Sequence, residues 1–260
     1  MAFLEVNFFS DALGMCMSMN VILPVTEEER RVPNGVKKGE TYPTLYLLHG
    51  MSDDHTVWSR MTALERYAAG KKIAIVMPTT YLGWYTDMRY GYAYRKFIGE
   101  ELPKICRSFF PGMSKKREDT YLAGNSMGGY GSLALALTYP DTFSLAAPFS
   151  GAFDPREIYR EGDNYFGDIF GEITEFEGSK NDLYHLSAKR KEEGTPLPFV
   201  YMACGTEDSL LEENRRMKAH LDALGYELLY REGEGGHDWA YWDGEIKELL
   251  DFIEKRREAN

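Results

Sequence analysis

The six residues Gly124-Asn125-Ser126-Met127-Gly128-Gly129 leave this chain few folds to choose from. A short strand-like run, Asp119 to Ala123, leads into them, and a helix-like run, Tyr130 to Leu137, leads away. Serine flanked by glycine two residues before and two after requires a strained turn, because side chains at those positions would strike the neighbouring strand and helix backbones. Such a turn lifts the Ser126 hydroxyl clear of a sheet and sets it at the positive end of the next helix. A strand before and a helix after distinguish this elbow from a chance glycine-rich turn.

Strand-like and amphipathic helical segments alternate through most of the sequence, which predicts an α/β fold with a mostly parallel twisted sheet and helices on both faces. Set in that alternation, the Gly-x-Ser-x-Gly turn resembles the nucleophile elbow of α/β-hydrolases. Expected strands are Phe3 to Phe9 and Met15 to Leu23, both at an edge, then Thr44 to Leu48, Ile73 to Met77, Ser144 to Phe149, Phe199 to Cys204 and Glu227 to Tyr230. Expected helices are Val57 to Ala69, Tyr92 to Phe109 with a break or kink at Pro103, Leu210 to Leu224, and Gly244 to Arg257. Thr26 to Gly39 is charged and carries the turn signal Pro33-Asn34-Gly35, so a surface loop is expected there. A chain of 260 residues suits a single domain, residues 1–260. Within it, Asp154 to Pro198 is polar, punctuated by glycine and dotted with aromatics, and is expected to form a small helical insertion of lid type.

Composition narrows the functional classes. The 41 acidic residues exceed the 30 basic ones, a formal net charge of −11. That balance argues against nucleic acid and against an anionic membrane surface, both of which are bound through clustered Lys and Arg. The three cysteines, Cys16, Cys106 and Cys204, are far apart with no metal-type spacing, and the odd count suits reduced thiols. The first residues carry no basic stretch, and no apolar run is long enough to span a bilayer. A soluble, cytoplasmic protein is the expectation.

A serine hydroxyl needs an adjacent base to attack at neutral pH. In this fold the order along the chain is serine, acid, histidine, each on a loop at the carboxyl end of a strand. Three histidines follow Ser126: His185, His220 and His237. His237 lies in Gly233-Glu234-Gly235-Gly236-His237, directly after a strand, whereas His220 falls mid-helix among charged residues and His185 in the insertion. His237 is therefore the expected base. The loop Gly205-Thr206-Glu207-Asp208-Ser209 offers two carboxylates. Asp208 is chosen over Glu207 on placement, although Asp208 also stands where a helix N-cap would. The backbone N–H groups of Met127 and of Met51, in Leu48-His49-Gly50-Met51, are the expected oxyanion donors. His49 precedes the serine, against the chain order, and is assigned with Gly50 to shaping that loop on the substrate side. Trp84 and Trp239, on loops after strands, are the expected aromatic wall of the substrate pocket.

Four separated blocks carry a family likeness: Tyr46 to Ser52, Gly83 to Asp87, Gly124 to Gly131 and His237 to Trp242. Together they resemble the tributyrin-esterase branch of the esterase D family, which includes S-formylglutathione hydrolases and is similar to feruloyl and acetylxylan esterases. The resemblance implies a metal-free, cofactor-free carboxylesterase favouring short acyl chains. It also implies Ser126, Asp208 and His237 as the triad and a small-molecule ester as the partner. His49 to Asp54 lacks the cysteine of the formylglutathione branch, which ranks that substrate lower. A non-catalytic binding protein on the same scaffold would be expected to have lost a triad member. Homo-oligomer formation is compatible with the sequence but not dictated by it.

Overall fold

A computed structural model describes residues 1–25, 36–162 and 164–259. Eight strands make one sheet: β1 (Ala2–Ser10), β2 (Met15–Leu23), β3 (Thr44–Leu48), β4 (Ala74–Pro78), β5 (Thr120–Asn125), β6 (Leu145–Phe149), β7 (Phe199–Gly205) and β8 (Leu228–Gly233). Their spatial order is β1-β2-β4-β3-β5-β6-β7-β8. The β1–β2 and β2–β4 pairs are antiparallel, and the remaining pairs are parallel. Of the two strands expected at an edge, only β1 lies there; β2 is enclosed between β1 and β4 because it pairs with both. The turn expected at Pro33-Asn34-Gly35 lies outside the described residues.

Central strands read as unbroken apolar runs because both faces are covered. In β3, Tyr46 and Leu48 point into one core layer while Leu45 and Leu47 point into the other. In β7 the split is Val200 and Met202 against Tyr201 and Ala203. Helices α1 (Val57–Met61), α2 (Leu64–Ala68) and α9 (Trp239–Glu258) cover the second layer. The first layer is covered by α3 (Tyr94–Lys96), α4 (Leu102–Phe109), α5 (Met127–Thr138), α7 (Leu183–Glu192) and α8 (Leu211–Ala223). Helix α5 is buried from Met127 through Leu137, which explains a composition that is apolar all round.

Three helical expectations are refined by tertiary contacts. The single helix expected over Val57 to Ala69 is broken into α1 and α2, because Ala63 N–H donates to the Asp243 carboxylate of α9 at 2.7 Å and Leu64 N–H turns to Thr62 Oγ1. Between α3 and α4 the chain makes a π-helical turn, Phe97–Glu101, which leads into Pro103 in the first turn of α4. That wider turn accommodates a residue with no N–H to donate. Helix α9 starts at Trp239, five residues earlier than Gly244, because Asp238 caps it by accepting the Tyr241 N–H at 3.0 Å.

The insertion contains a 3-10 turn (Pro155–Ile158), α6 (Tyr165–Phe170), a second 3-10 turn (Ile173–Glu175) and α7. Its Phe166, Ile169, Phe170 and Phe176 join the core layer that contains Trp84 and Tyr130. Asp243 ties α1, α2 and α9 together by also accepting the Tyr67 hydroxyl at 2.7 Å. Losing both bonds in Asp243→Ala should cost about 1–2 kcal/mol, a fall in Tm of roughly 2–6 °C for a chain of this size. A calorimetric scan checks this.

Candidate active site

From Thr120 to Leu137 every residue is buried except Ser126. The exception follows from the turn: Ser126 has φ 54° and ψ −116°, a conformation L-residues rarely adopt. The flanking glycines make it feasible. A Cβ on Gly124 would stand 2.7 Å from the Leu48 carbonyl oxygen, and one on Gly128 would stand 2.5 Å from the same oxygen and 2.7 Å from that of His49. Ser126 N–H donates to Phe149 O at 2.9 Å, and Ser126 O accepts from Tyr130 N–H and Ala152 N–H. The other non-glycine residues with positive φ are Ser52, Tyr81, Trp84, Tyr85 and Ser150. All occupy loops that follow β3, β4 or β6, so backbone strain among the described residues gathers at the carboxyl rim of the sheet.

Two further loops meet at that rim. Past β7 and β8, Thr206 N–H donates to Gly233 O at 2.8 Å and Glu207 N–H to Gly235 O at 3.0 Å. This stitching brings His237 Nδ1 to 3.1 and 3.0 Å from the two carboxylate oxygens of Asp208. The Asp208 side chain is fully buried, while that of His237 is 32% exposed. Burial would raise the Asp208 carboxyl, but the hydrogen bonds with His237 and Leu210 N–H outweigh it and hold the group below the usual aspartate range. A carboxylate facing Nδ1 keeps the proton on that nitrogen and leaves Nε2 as the basic one. Glu207 is turned elsewhere, its carboxylate accepting Gly235 N–H at 2.6 Å. His185 is exposed on α7. His220, mid-helix as expected, is turned onto α7, its Nε2 2.9 Å from Ser187 Oγ and 3.0 Å from Tyr184 O. Among the described residues Ser126 Oγ has no hydrogen bond, so the structure joins Asp208 to His237 but does not join His237 to Ser126.

The loop after β3 is fixed through its carbonyls. Leu48 O accepts from Trp58 Nε1 at 3.0 Å, His49 O from the Tyr85 hydroxyl at 2.8 Å, and Gly50 O from His49 Nδ1 at 2.7 Å. With Thr80 N–H donating to Nε2, both His49 nitrogens are engaged in a neutral ring. Burial lowers the His49 pKa to about 4. His49 is thus a brace without access to Ser126. The amides of Met51 and Met127 donate to no acceptor among the described residues, which leaves two N–H groups available at this rim. Trp58 and Tyr85 hold this loop, a role that sequence reasoning missed because it depends on partners outside the motif.

Expected pocket residues divide. Trp84 is 2% exposed, donates Nε1–H to the Tyr165 hydroxyl at 2.9 Å, and lies edge-on to Tyr130 and Phe170. Neither it nor His49 presents a side chain to solvent, so each bears on the site through the loop it anchors. Gly50 is buried as well. Trp239 is half-buried at the start of α9, edge-on to Trp58 and to Trp242 at about 5 Å, and Met51 is exposed. Trp242 meets the His237 ring edge-on at 5.0 Å. Among the described residues no group of three or more His, Cys, Asp or Glu side chains is placed to hold a metal ion, and no helix is long and apolar enough to cross a membrane. The three cysteines are unpaired, with Cys106 and Cys204 buried.

Known proteins similar to this chain are numerous. The family described as "Putative esterase" matches residues 10–253. An acetyl esterase of Caldicellulosiruptor saccharolyticus is 33% identical over 266 residues, spanning 98% of this chain and 99% of its own. The fluorophosphonate-binding serine hydrolase F of Staphylococcus aureus, solved with substrate bound, is 34% identical with a TM-score of 0.88, covering 97% of this chain and 98% of its own. An S-formylglutathione hydrolase from Staphylococcus aureus is 33% identical with a TM-score of 0.85 over the same shares. The sheet order, the elbow and these likenesses agree: the fold is that of the α/β-hydrolases, and the chain belongs to the esterase family as a carboxylic ester hydrolase.

Proposed function

We propose that the chain is a serine esterase acting on short-chain acyl esters through Ser126, His237 and Asp208. The observation that carries the reading is the Asp208–His237 pair, 3.0 Å apart, on the same sheet rim as a strained serine that is the one accessible residue of a buried run. Ser126 attacks the ester carbonyl while His237 Nε2 removes its proton, and Asp208 fixes the tautomer and stabilises the imidazolium. The Met51 and Met127 N–H groups receive the developing oxyanion, each worth about 3–4 kcal/mol to the transition state. The alcohol then leaves with the proton from His237, and water hydrolyses the acyl-enzyme by the same route. Proton transfer requires a Ser126–His237 hydrogen bond, of the kind that tightens in Michaelis complexes. Trp239, half-buried, and Met51, exposed, are the apolar side chains assigned here to the ester's acyl or alcohol part.

The short-chain preference is supported by the likeness to an acetyl esterase over nearly the full length of both chains. A thioester substrate is the second reading, favoured by the likeness to an S-formylglutathione hydrolase. Initial rates on p-nitrophenyl acetate, butyrate and decanoate, beside S-formylglutathione and methyl ferulate, separate these; the acetate or butyrate ester is expected to turn over fastest.

Ser126→Ala should lower kcat by about 10⁶-fold, with loss of labelling by a fluorophosphonate probe; undiminished turnover would refute the assignment. Asp208→Asn should lower kcat by about 10⁴-fold. Glu207→Gln should change it by less than about threefold, since an exposed group away from the imidazole contributes little to the transition state. The reverse ranking would transfer the acid role to Glu207.

A further inference from the structure

The two outer strands of the sheet are protected very differently. β8 is six residues long and carries Arg231 and Glu232, charges of the kind that discourage pairing with another chain. β1 runs nine residues, Ala2–Ser10, with no proline and a single charge, Glu5. Its register against β2 is unbroken from Ala2↔Leu23 to Ser10↔Met15, so no bulge twists the edge away. Phe3 and Phe9 are 39% and 58% exposed. Alternate N–H and C=O groups of a strand point away from its neighbour. Among the described residues, no backbone group from Ala2 to Phe9 has a hydrogen-bond partner beyond β2. The hairpin tip is pinned, since Glu101 of the π-helical turn accepts from the Ser10 hydroxyl and from Asp11 N–H. An edge already held in place loses little entropy on pairing. We propose that β1 pairs antiparallel with β1 of a second copy of this chain, about a two-fold axis at Val6, joining the two eight-stranded sheets into one.

The strand's own order of residues identifies the occupant. Pairing centred on Val6 uses β1 end to end, with Ala2 opposite Ser10 of the second copy, and both copies present the same patch, as a two-fold interface requires. Phe3, Glu5, Asn7 and Phe9 share the outward face, because side chains alternate along a strand. Phe3 then stands opposite Phe9 of the second copy, and Phe9 opposite its Phe3, which makes two favourable aromatic pairs. Asn7 Oδ1 accepts from Ser18 Oγ at 2.7 Å, which leaves Nδ2 free to donate. Glu5 of the second copy, whose carboxylate only accepts, stands opposite that donor. Other registers lose this match. Centring on Glu5 would oppose two carboxylates, and centring on Asn7 would set Glu5 against a phenylalanine ring. A shift by one residue would set the outward face of one copy against the helix-covered face of the other.

Sedimentation velocity on the full chain across a concentration series tests the pairing. One strand from each copy makes a small interface, so a species of twice the chain mass that dissociates on dilution is expected. Phe9→Lys removes a ring from both aromatic pairs and should raise the dimer Kd about tenfold. Asn7→Glu sets carboxylates opposite each other and should also weaken the dimer; adding Glu5→Lys turns that repulsion into attraction and should return Kd to within about threefold of wild type. Register is read separately on a Cys16→Ser background. There, Val6→Cys should form a disulfide-linked dimer on mild oxidation, since opposed Cα atoms of an antiparallel pair lie within disulfide reach. Leu4→Cys should not, because its two copies stand well out of register. Cooperative melting by circular dichroism establishes that each variant is folded, and if Phe9→Lys or Asn7→Glu is not, the cysteine pair decides. The proposal is overturned by a chain that stays monomeric throughout the series, by a dimer that neither Phe9→Lys nor Asn7→Glu weakens, or by linkage through Leu4→Cys and not Val6→Cys.

Discussion

The close crossing of two backbones at the end of β5 is the constraint on which the rest of the site depends. The turn at Ser126 brings the start of α5 so near the end of β3 that a single Cβ at Gly124 or Gly128 would sit 2.5–2.7 Å from a carbonyl oxygen. With that approach available, the serine can take a positive φ, leave the sheet and stand at the first turn of a buried helix. The same crossing fixes the loop after β3, whose amide at Met51 must lie near the serine if it is to act on the same carbonyl. Elbow and loop are one unit of packing.

That unit is costly, and the surrounding structure offsets the cost with specific bonds. Leu48 O, His49 O and Gly50 O each accept from a side chain, which uses the carbonyls and leaves the following amide unpaired. His49 is the clearest case of chemistry suppressed by structure. Both ring nitrogens are engaged and its proton affinity is lowered by burial, so a residue that looks reactive in the sequence acts as a brace. His237 is treated oppositely, with one nitrogen held against a buried carboxylate and the other left toward solvent.

A parallel sheet explains how distant residues meet. Each strand from β3 to β8 delivers its carboxyl end to one rim, so loops starting near residues 49, 126, 150, 206 and 234 are neighbours in space though not in sequence. Loop-to-loop hydrogen bonds then set the distances, as between Thr206 and Gly233.

Much of this was legible in the residues. The glycine spacing, the alternation of strand and helix, and the chain order of serine, acid and histidine dictated the fold class and singled out Ser126, Asp208 and His237, because those signals arise from local backbone sterics and strand-end placement. Tertiary contact decided the rest. It broke one expected helix at Ala63 for an acceptor on α9, enclosed β2 within the sheet, withdrew Trp84 and His49 from solvent, and turned Glu207 away from the imidazole. Periodicity and spacing report what a segment needs from its immediate backbone, whereas which donor meets which acceptor depends on groups brought together only when the sheet closes.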